Sequence, residues 1–494
     1  MITIKNNIVK KQPNFYNGCV FHPTDAIEDP WGKRILDRMA KDKAIKTVRM
    51  YTMFEDIVYL GENGEICYDF RLSDLRLDYM VEKGYDLILA YAGIPDCVAE
   101  SGEHKISMAK NKTRYKNKMW NSSPPKDYAV WEEICYTYTK HNVERYGIER
   151  VSKWKCQCFN EPDTAFFMAN VGKELEDVLG YRLPEYCKLY EAFEKGIRRA
   201  SESIIIGGPA LAWRRQFLGG FLDFIKEKQL RLDFISLHEY GTSPASLNQG
   251  LMEIDVQNSL NKHQGLFEVI CEHGFENTPV IVDEWGLSCS GFKNIEDCPT
   301  LIARENEVFS AYYAKLIHKL SYSDYKLEGF LICLSGQHEM VKDFTGFRNF
   351  FTLNFFAKPI YNAFYLSSKL KENLLEGVEN NNLFVMPTKD DNGNYAVLLS
   401  YSDKTFTESI KDLSETIIFE ENVVGKKLTV WCIDKNTTNP YRKFLQMGID
   451  EPNEEQVKIL KEEGNIKPII NSVLTKNQIE LTFSANSTYL ITVE

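Results

Sequence analysis

From Gly18 to about Leu370 the chain repeats one pattern: a short apolar run, a polar loop, then a stretch with apolar residues at helical spacing. Apolar runs bounded by turn residues read as buried strands, and apolar positions three and four apart read as one face of a helix. Eight runs qualify as strands, over residues 18–21, 47–51, 86–92, 154–161, 204–210, 233–240, 279–285 and 329–335. Helices are predicted between them over 31–43, 72–83, 127–146, 186–200, 217–229, 259–273 and 302–320, and after the last strand over 359–370. Gly84, Gly147 and Gly274 follow three of these helices, as helix C-terminal stops do. Eight alternating units predict an α/β fold, a closed (β/α)8 TIM barrel whose strand C-termini carry the chemistry. The rival is a doubly wound open sheet, which calls for a Gly-rich phosphate turn after an early strand; none is present.

Beyond residue 370 the texture changes to strand-like runs over 383–387, 395–401, 416–419, 428–433, 478–483 and 488–493, with Asn, Asp and Gly at the turns. One helical insertion, 454–463, interrupts them. The expected organisation is a catalytic barrel over 14–370 and a β-sandwich over 371–494. Residues 1–13, with Ile2, Ile4, Ile8 and Val9, are expected to add a strand to the sandwich.

Bulk properties narrow the function. A length of 494 residues suffices for one large barrel and a smaller companion. The net charge of −11, from 59 basic and 70 acidic residues, argues against nucleic acid and against an anionic membrane surface as partners. The opening Met1-Ile2-Thr3-Ile4-Lys5 lacks the basic and apolar regions of a secretory leader, and no apolar stretch reaches the roughly 18–20 residues that span a bilayer. A cytoplasmic location is expected. Twelve cysteines are scattered, with Cys135, Cys156, Cys158, Cys187, Cys333 and Cys432 inside strand-like or helix-like runs, which reads as reduced, buried thiols. Cys156 and Cys158 share a strand face, but no second pair stands at ligand spacing, so no metal and no organic cofactor is expected.

The chemistry sits at two strand ends. The fourth strand runs to Asn160-Glu161-Pro162, where proline stops ladder pairing and leaves Glu161 at the rim. The seventh, Val280-Ile281-Val282, is followed at once by Asp283, Glu284 and Trp285. One such carboxylate reads equally as a helix cap. Two, facing the same mouth, suit glycoside cleavage: a retaining enzyme needs its carboxyls about 5–5.5 Å apart, one ionised to attack and one protonated to assist departure. An anion on Glu284 would raise the pKa of Glu161, so that the pair titrates as a unit. Asn160 is either a turn residue or a donor to the sugar hydroxyl beside the reacting carbon.

Phe159-Asn160-Glu161-Pro162-Asp163 resembles the Trp-Asn-Glu-Pro acid/base motif of the retaining glycosidases built on (β/α)8 barrels. More narrowly, the chain is similar to glycoside hydrolase family 39, the β-xylosidase and α-L-iduronidase family. The stretches that carry this are Pro124-Pro125-Lys126-Asp127-Tyr128, Arg145-Tyr146-Gly147-Ile148-Glu149, Gly207-Gly208-Pro209-Ala210, His238-Glu239-Tyr240, Val282-Asp283-Glu284-Trp285 and, in the tail, Leu428-Thr429-Val430-Trp431-Cys432-Ile433-Asp434. The resemblance implies Glu161 as acid/base, Glu284 as nucleophile, and Asn160, His238, Tyr240 and Glu339 around the sugar. His238 reads alternatively as a core histidine bonded behind the strand. Tyr240 shares its face and would steer Glu284. Tyr51 and Trp285 complete the expected substrate-binding set.

Departures bear on specificity. β-Xylosidases of the family usually show Arg-Gly-His-Gly after the second strand, where this chain has Arg49-Met50-Tyr51-Thr52, so an expected imidazole ligand is lost. Glu339 follows Ser335-Gly336-Gln337-His338, of which only the ends match the family's Ser-Asp-x-Phe-Glu pattern. Lys110, Lys112, Arg114 and Lys116, in segment 105–118, form either a solvated loop or an attractor for an acidic sugar. Trp120, Phe166 and Phe167 wall the pocket or belong to the core. The expected function is a retaining exo-glycosidase of short β-linked oligosaccharides, β-xylosidase-like. Alternatives are a uronidase, an arabinosidase or a hexose-directed enzyme on the same fold, or a carbohydrate-binding protein without turnover. The partner is a saccharide, and the tail offers a surface for homo-oligomerisation.

Overall fold

A computed structural model describes residues 1–11, 15–21, 30–102, 105–107, 119–242, 250, 253–291, 293–334 and 340–494. Eight parallel strands close into a barrel: β1 (Gly18–Phe21), β2 (Thr47–Tyr51), β3 (Asp86–Tyr91), β4 (Lys155–Cys158), β5 (Ile205–Leu211), β6 (Phe234–Thr242), β7 (Val280–Ser288) and β8 (Leu327–Leu334). Each coincides with a predicted run. Eight helices alternate with them: α1 (Pro30–Asp42), α2 (Arg71–Glu82), α3 (Tyr128–Tyr146), α4 (Leu183–Ala200), α5 (Arg215–Lys228), α6 (Val256–Glu272), α7 (Glu307–Ser321) and α8 (Pro359–Ser367). The predicted helix over 302–320 is two elements, a 3-10 turn Pro299–Arg304 and α7, because the Asn306 side chain accepts from the Val308 amide and starts a new helix.

Barrel closure depends on close strand approach. At Gly207, in β5, a Cβ would lie 2.3 Å from the Phe234 carbonyl oxygen of β6, so only glycine fits. Val20, Ile88, Phe234, Ile281 and Leu331 form an apolar cluster inside the barrel. Towards the strand C-termini the inward positions turn polar, and the mouth is formed there.

After α8 the chain builds two sheets. The larger runs in the order Ile8–Lys11, Asn373–Leu375, Leu383–Lys389, Tyr395–Tyr401, Ser487–Val493, Lys427–Ile433, Pro468–Val473, and the smaller Ile2–Ile4, Leu413–Phe419, Gln478–Phe483. Val385, Val397, Val430 and Ile491 of one pack with Ile2, Ile4, Ile417 and Phe483 of the other, the two-layer core of a sandwich. The N-terminus supplies two strands, one to each sheet, where one was expected. Helix α7 lies between barrel and sandwich, packed on the strands Tyr395–Tyr401 and Ser487–Val493. Its Glu307 is buried and accepts from Asn439 Nδ2 at 2.7 Å and Arg442 Nε at 3.1 Å, a polar clasp across the junction. No helix among the described residues is long and apolar enough to cross a membrane.

Candidate active site

Beyond Cys158 the chain leaves the β4 ladder, with φ of 65° at Phe159 and 43° at Glu161. Left-handed geometry costs a non-glycine residue about 1–2 kcal/mol. Two backbone bonds offset it: Phe159 N–H donates to the Tyr91 carbonyl at 3.1 Å and Glu161 N–H to the Ala210 carbonyl at 3.0 Å, tying the turn to β3 and β5. Asn160 and Glu161 thereby both present their side chains at the mouth. Asn160 Oδ1 accepts from Arg49 Nη2 at 2.8 Å and lies 3.2 Å from the Tyr51 hydroxyl, which leaves its amide NH2 as the outward donor.

A bulge sets the other wall. Between β6 and β7, Leu237 opposes Val282 but His238 opposes Glu284, so Asp283 is an extra residue on β7. Strict alternation would send Asp283 and Glu284 to opposite faces. The bulge turns both inward. Asp283 Oδ2 lies 2.9 Å from Arg49 Nε and accepts from Gln157 Nε2 at 2.7 Å. Glu284 Oε1 accepts from Arg49 Nη1 at 2.9 Å and from Tyr51 at 3.1 Å, while Oε2 accepts from Tyr240 at 2.6 Å.

The two carboxylates meet across His238. Its Nδ1 is 2.8 Å from Glu161 Oε1, and one ligand-type atom each of Glu161, His238 and Glu284 lie within 4.8 Å of one another. A spread this small is on the side of the roughly 5–5.5 Å of a retaining pair and below the roughly 6.5–9.5 Å that lodges an attacking water in an inverting one. Burial raises Glu161 above the usual carboxyl range, and the Glu284 and Asp163 anions add to this against the pull of His238. Burial also opposes ionisation of Glu284, but His238, Arg49, Arg348 and the Tyr240 hydrogen bond outweigh it and hold that carboxyl down at about 2. His238, despite its burial, is lifted to about 10 by the Glu284 and Asp283 anions. Environments that push two carboxyls apart in this way assign one as acid and one as anion. The Glu161 side chain is 19% exposed, so its proton is accessible from the mouth. The same three residues have the spread of a metal site, but their ligand atoms already accept from, or bond to, Arg49, Tyr51, Tyr240 and one another.

Of the predicted residues, Glu161, Glu284, Asn160, His238, Tyr240 and Tyr51 converge on one site. Tyr51, expected as a sugar ligand, donates to the nucleophile candidate and lies beside Asn160. Trp285 does not converge: the inward turn of Asp283 and Glu284 sends it outward, where it is 1% exposed and stacks on Phe330, Tyr313 and Phe364. It anchors β7 to the helix layer and does not face the mouth. Glu339 and most of segment 105–118 lie outside the described residues. Trp120 is buried edge-on against Tyr51 and Phe159 and so backs the site, with Phe166 partly exposed beside it and Phe167 in the core. Arg49, Gln157, Asp283 and Arg348 were not expected. For the first two the signal was present, a charged and an amide residue inside otherwise apolar strands.

Asp163 was also missed. Fully buried, it accepts from the amides of Ala212 at 2.9 Å and of Trp213 and Arg214 at 3.0 Å each, holding the loop after β5 beside Glu161. Asp163→Asn is expected to lower stability by about 1–3 kcal/mol in denaturant unfolding, because its NH2 must face amide donors. Losing an anion also makes neutral Glu161 less favoured, so the basic limb of the kcat/KM profile should move to lower pH.

Comparison with known proteins gives the family. The model of Glycosyl hydrolases family 39 matches residues 2–478. A β-xylosidase of Caldicellulosiruptor saccharolyticus is 25% identical over 95% of this chain and 92% of its own length. Human α-L-iduronidase is 27% identical over 40% of this chain and 28% of its own. The crystal structure of a monomeric β-xylosidase from Caulobacter crescentus superposes with a TM-score of 0.83, at 18% identity, over 100% of this chain and 99% of the other. That last likeness is one of fold.

Proposed function

The chain belongs to glycosyl hydrolase family 39, and from that premise we propose that it is a retaining exo-glycosidase of short β-linked oligosaccharides, β-xylosidase-like, with Glu284 as nucleophile and Glu161 as acid/base. The observation that carries the reading is the carboxylate pair, within 4.8 Å and displaced in opposite pKa directions. Glu284 attacks the anomeric carbon as Glu161 protonates the leaving oxygen. Water takes the place of the departing group and attacks the anomeric carbon as Glu161 takes its proton; the bond to Glu284 breaks, which frees the carboxylate and releases the sugar with the starting configuration restored. Asn160, its oxygen committed to Arg49, offers its NH2 to the sugar hydroxyl next to the reacting carbon. Tyr240 and Tyr51 hold Glu284 in line. His238 donates to the Glu161 oxygen that does not carry the proton.

Proton NMR of the first-formed sugar from an aryl β-xyloside tests this. The β-anomer is expected; an initial α-anomer would overturn the double displacement. A uronidase is the second reading, favoured by the iduronidase similarity and by Tyr51 standing where β-xylosidases of the family usually carry histidine. Aryl xyloside and aryl glucuronide assayed side by side decide between them. We also propose a cytoplasmic setting, supported by twelve free thiols, eight of them buried.

A further inference from the structure

Segment 340–358, between β8 and α8, reaches the site through Arg348, a guanidinium that none of the expected sugar contacts includes. Its Nη1 donates to the Tyr240 hydroxyl oxygen at 3.0 Å and to the Cys289 carbonyl at 2.8 Å. The same phenol donates its only proton to Glu284 Oε2 at 2.6 Å. A phenol oxygen both donates and accepts. A cationic donor on its lone pair therefore commits the O–H outward and polarises it, which strengthens the bond to the carboxylate.

Holding Arg348 there takes several buried charges on both sides of it in sequence. Arg304 Nη1 donates to the Gly346 carbonyl at 3.0 Å, and its Nη2 to the Ser288 and Ser290 carbonyls at 2.9 and 3.0 Å. Glu305 Oε1 accepts from Gly346 N–H and from Lys358 Nζ, each at 2.7 Å. Lys358 Nζ also donates to the Phe347 carbonyl at 3.1 Å. Arg304, Glu305 and Lys358 are each at most 2% exposed. Burying such groups is expensive unless they pair and bond fully. Their bonds converge on Gly346 and Phe347, the two residues before Arg348, and on Ser288 and Ser290, which flank the carbonyl that Arg348 itself bonds.

We propose that Arg348 is a positioning residue that acts on the nucleophile through Tyr240, and that the Arg304–Glu305–Lys358 cluster sets its place. The inference rests on the reading of Glu284 as nucleophile. Glu284 is faced by Arg49 and Tyr51 from β2, Glu161 after β4, His238 and Tyr240 from β6, Cys333 from β8 and Arg348 from the segment; Asp283 adjoins it on β7. Removing one cation from this set makes the anion less favoured, so the acid limb of the kcat/KM profile should rise in pH.

The test is a double-mutant cycle on an aryl β-glycoside with Arg348→Met, Tyr240→Phe and both together, beside Arg348→Lys and Glu284→Ala. Arg348→Met is expected to lower kcat by about 10- to 100-fold, as a misplaced reacting group does, with KM little changed and the acid limb moved up. In the Tyr240→Phe background the same change should cost less than about threefold, since the route is already cut. Arg348→Lys should recover part of the rate. Equal losses in both backgrounds, an unmoved acid limb, or a rise in KM alone, which would place Arg348 on the sugar, overturn the proposal. Should Arg348→Met melt early, Arg348→Lys is read in the same cycle, with coupling to Tyr240→Phe expected and independence contrary. Activity surviving in Glu284→Ala would instead defeat the underlying assignment.

Discussion

Glu284→Ala is expected to lower kcat/KM on an aryl β-xyloside by about 10^4- to 10^6-fold, the range seen when a covalent nucleophile is removed from an otherwise intact site. At roughly 1.36 kcal/mol per decade this corresponds to about 5–8 kcal/mol of lost transition-state stabilisation. The size follows from what converges on that carboxylate: Arg49, Tyr51 and Tyr240 all donate to it, so its lone pairs are aimed without reorganisation when charge moves to the sugar. Alanine leaves those donors in place around a gap the size of the lost carboxylate. A small anion such as azide should therefore restore part of the rate by attacking the anomeric carbon itself, giving an α-glycosyl azide from a β-glycoside. Glutamine should do no better than alanine, because its NH2 would face donors. A variant losing less than tenfold, with no azide product, would remove Glu284 from the nucleophilic role.

How far such a site can be read without coordinates depends on the kind of signal. Strands buried on both faces appear as uninterrupted apolar runs, and all eight barrel strands were legible for that reason. Glu161 and Glu284 were legible because each stands one polar residue past the end of such a run. The bulge at Asp283 was not, since it is a register shift between β6 and β7 with no local mark, and it carried the Trp285 error with it: alternation from the inward Ile281 puts Asp283 and Trp285 inward, and only the extra residue turns Glu284 in and Trp285 out. Arg348 was missed for another reason. Segment 340–358 has neither helical nor strand periodicity and reaches the site only because Arg304, Glu305 and Lys358, distant in sequence, pin it there. The edge strand Pro468–Val473 escaped notice because it is mostly exposed and so lacks a buried stripe. Periodicity reports burial against one neighbour; functional sites assembled from several strand ends are underdetermined by it.

Glu161→Ala separates acid catalysis from the rest of the machinery through the leaving group. On an unactivated β-linked disaccharide the loss should reach about 10^3- to 10^4-fold, the upper range for a positioned general acid, because an alkoxide departs poorly without a proton. On a dinitrophenyl glycoside, whose phenolate needs no proton, formation of the glycosyl ester should be nearly unimpaired. Hydrolysis of that ester then becomes limiting, since no base remains to activate water, and a burst of phenolate followed by slow turnover should appear. The pH profile gives a second, independent reading. Wild-type kcat/KM should fall in acid as Glu284 gains a proton, with its ionisation held down at about 2, and fall in base as Glu161, raised by burial and by the Glu284 anion, loses its own. The alanine variant should keep the acid limb and lose the basic one. Equal losses on both leaving groups would show that the side chain supports the site without transferring a proton, and a basic limb that survives the substitution would assign that ionisation to another group facing the sugar, with His238, lifted to about 10, the nearest cation to Glu161.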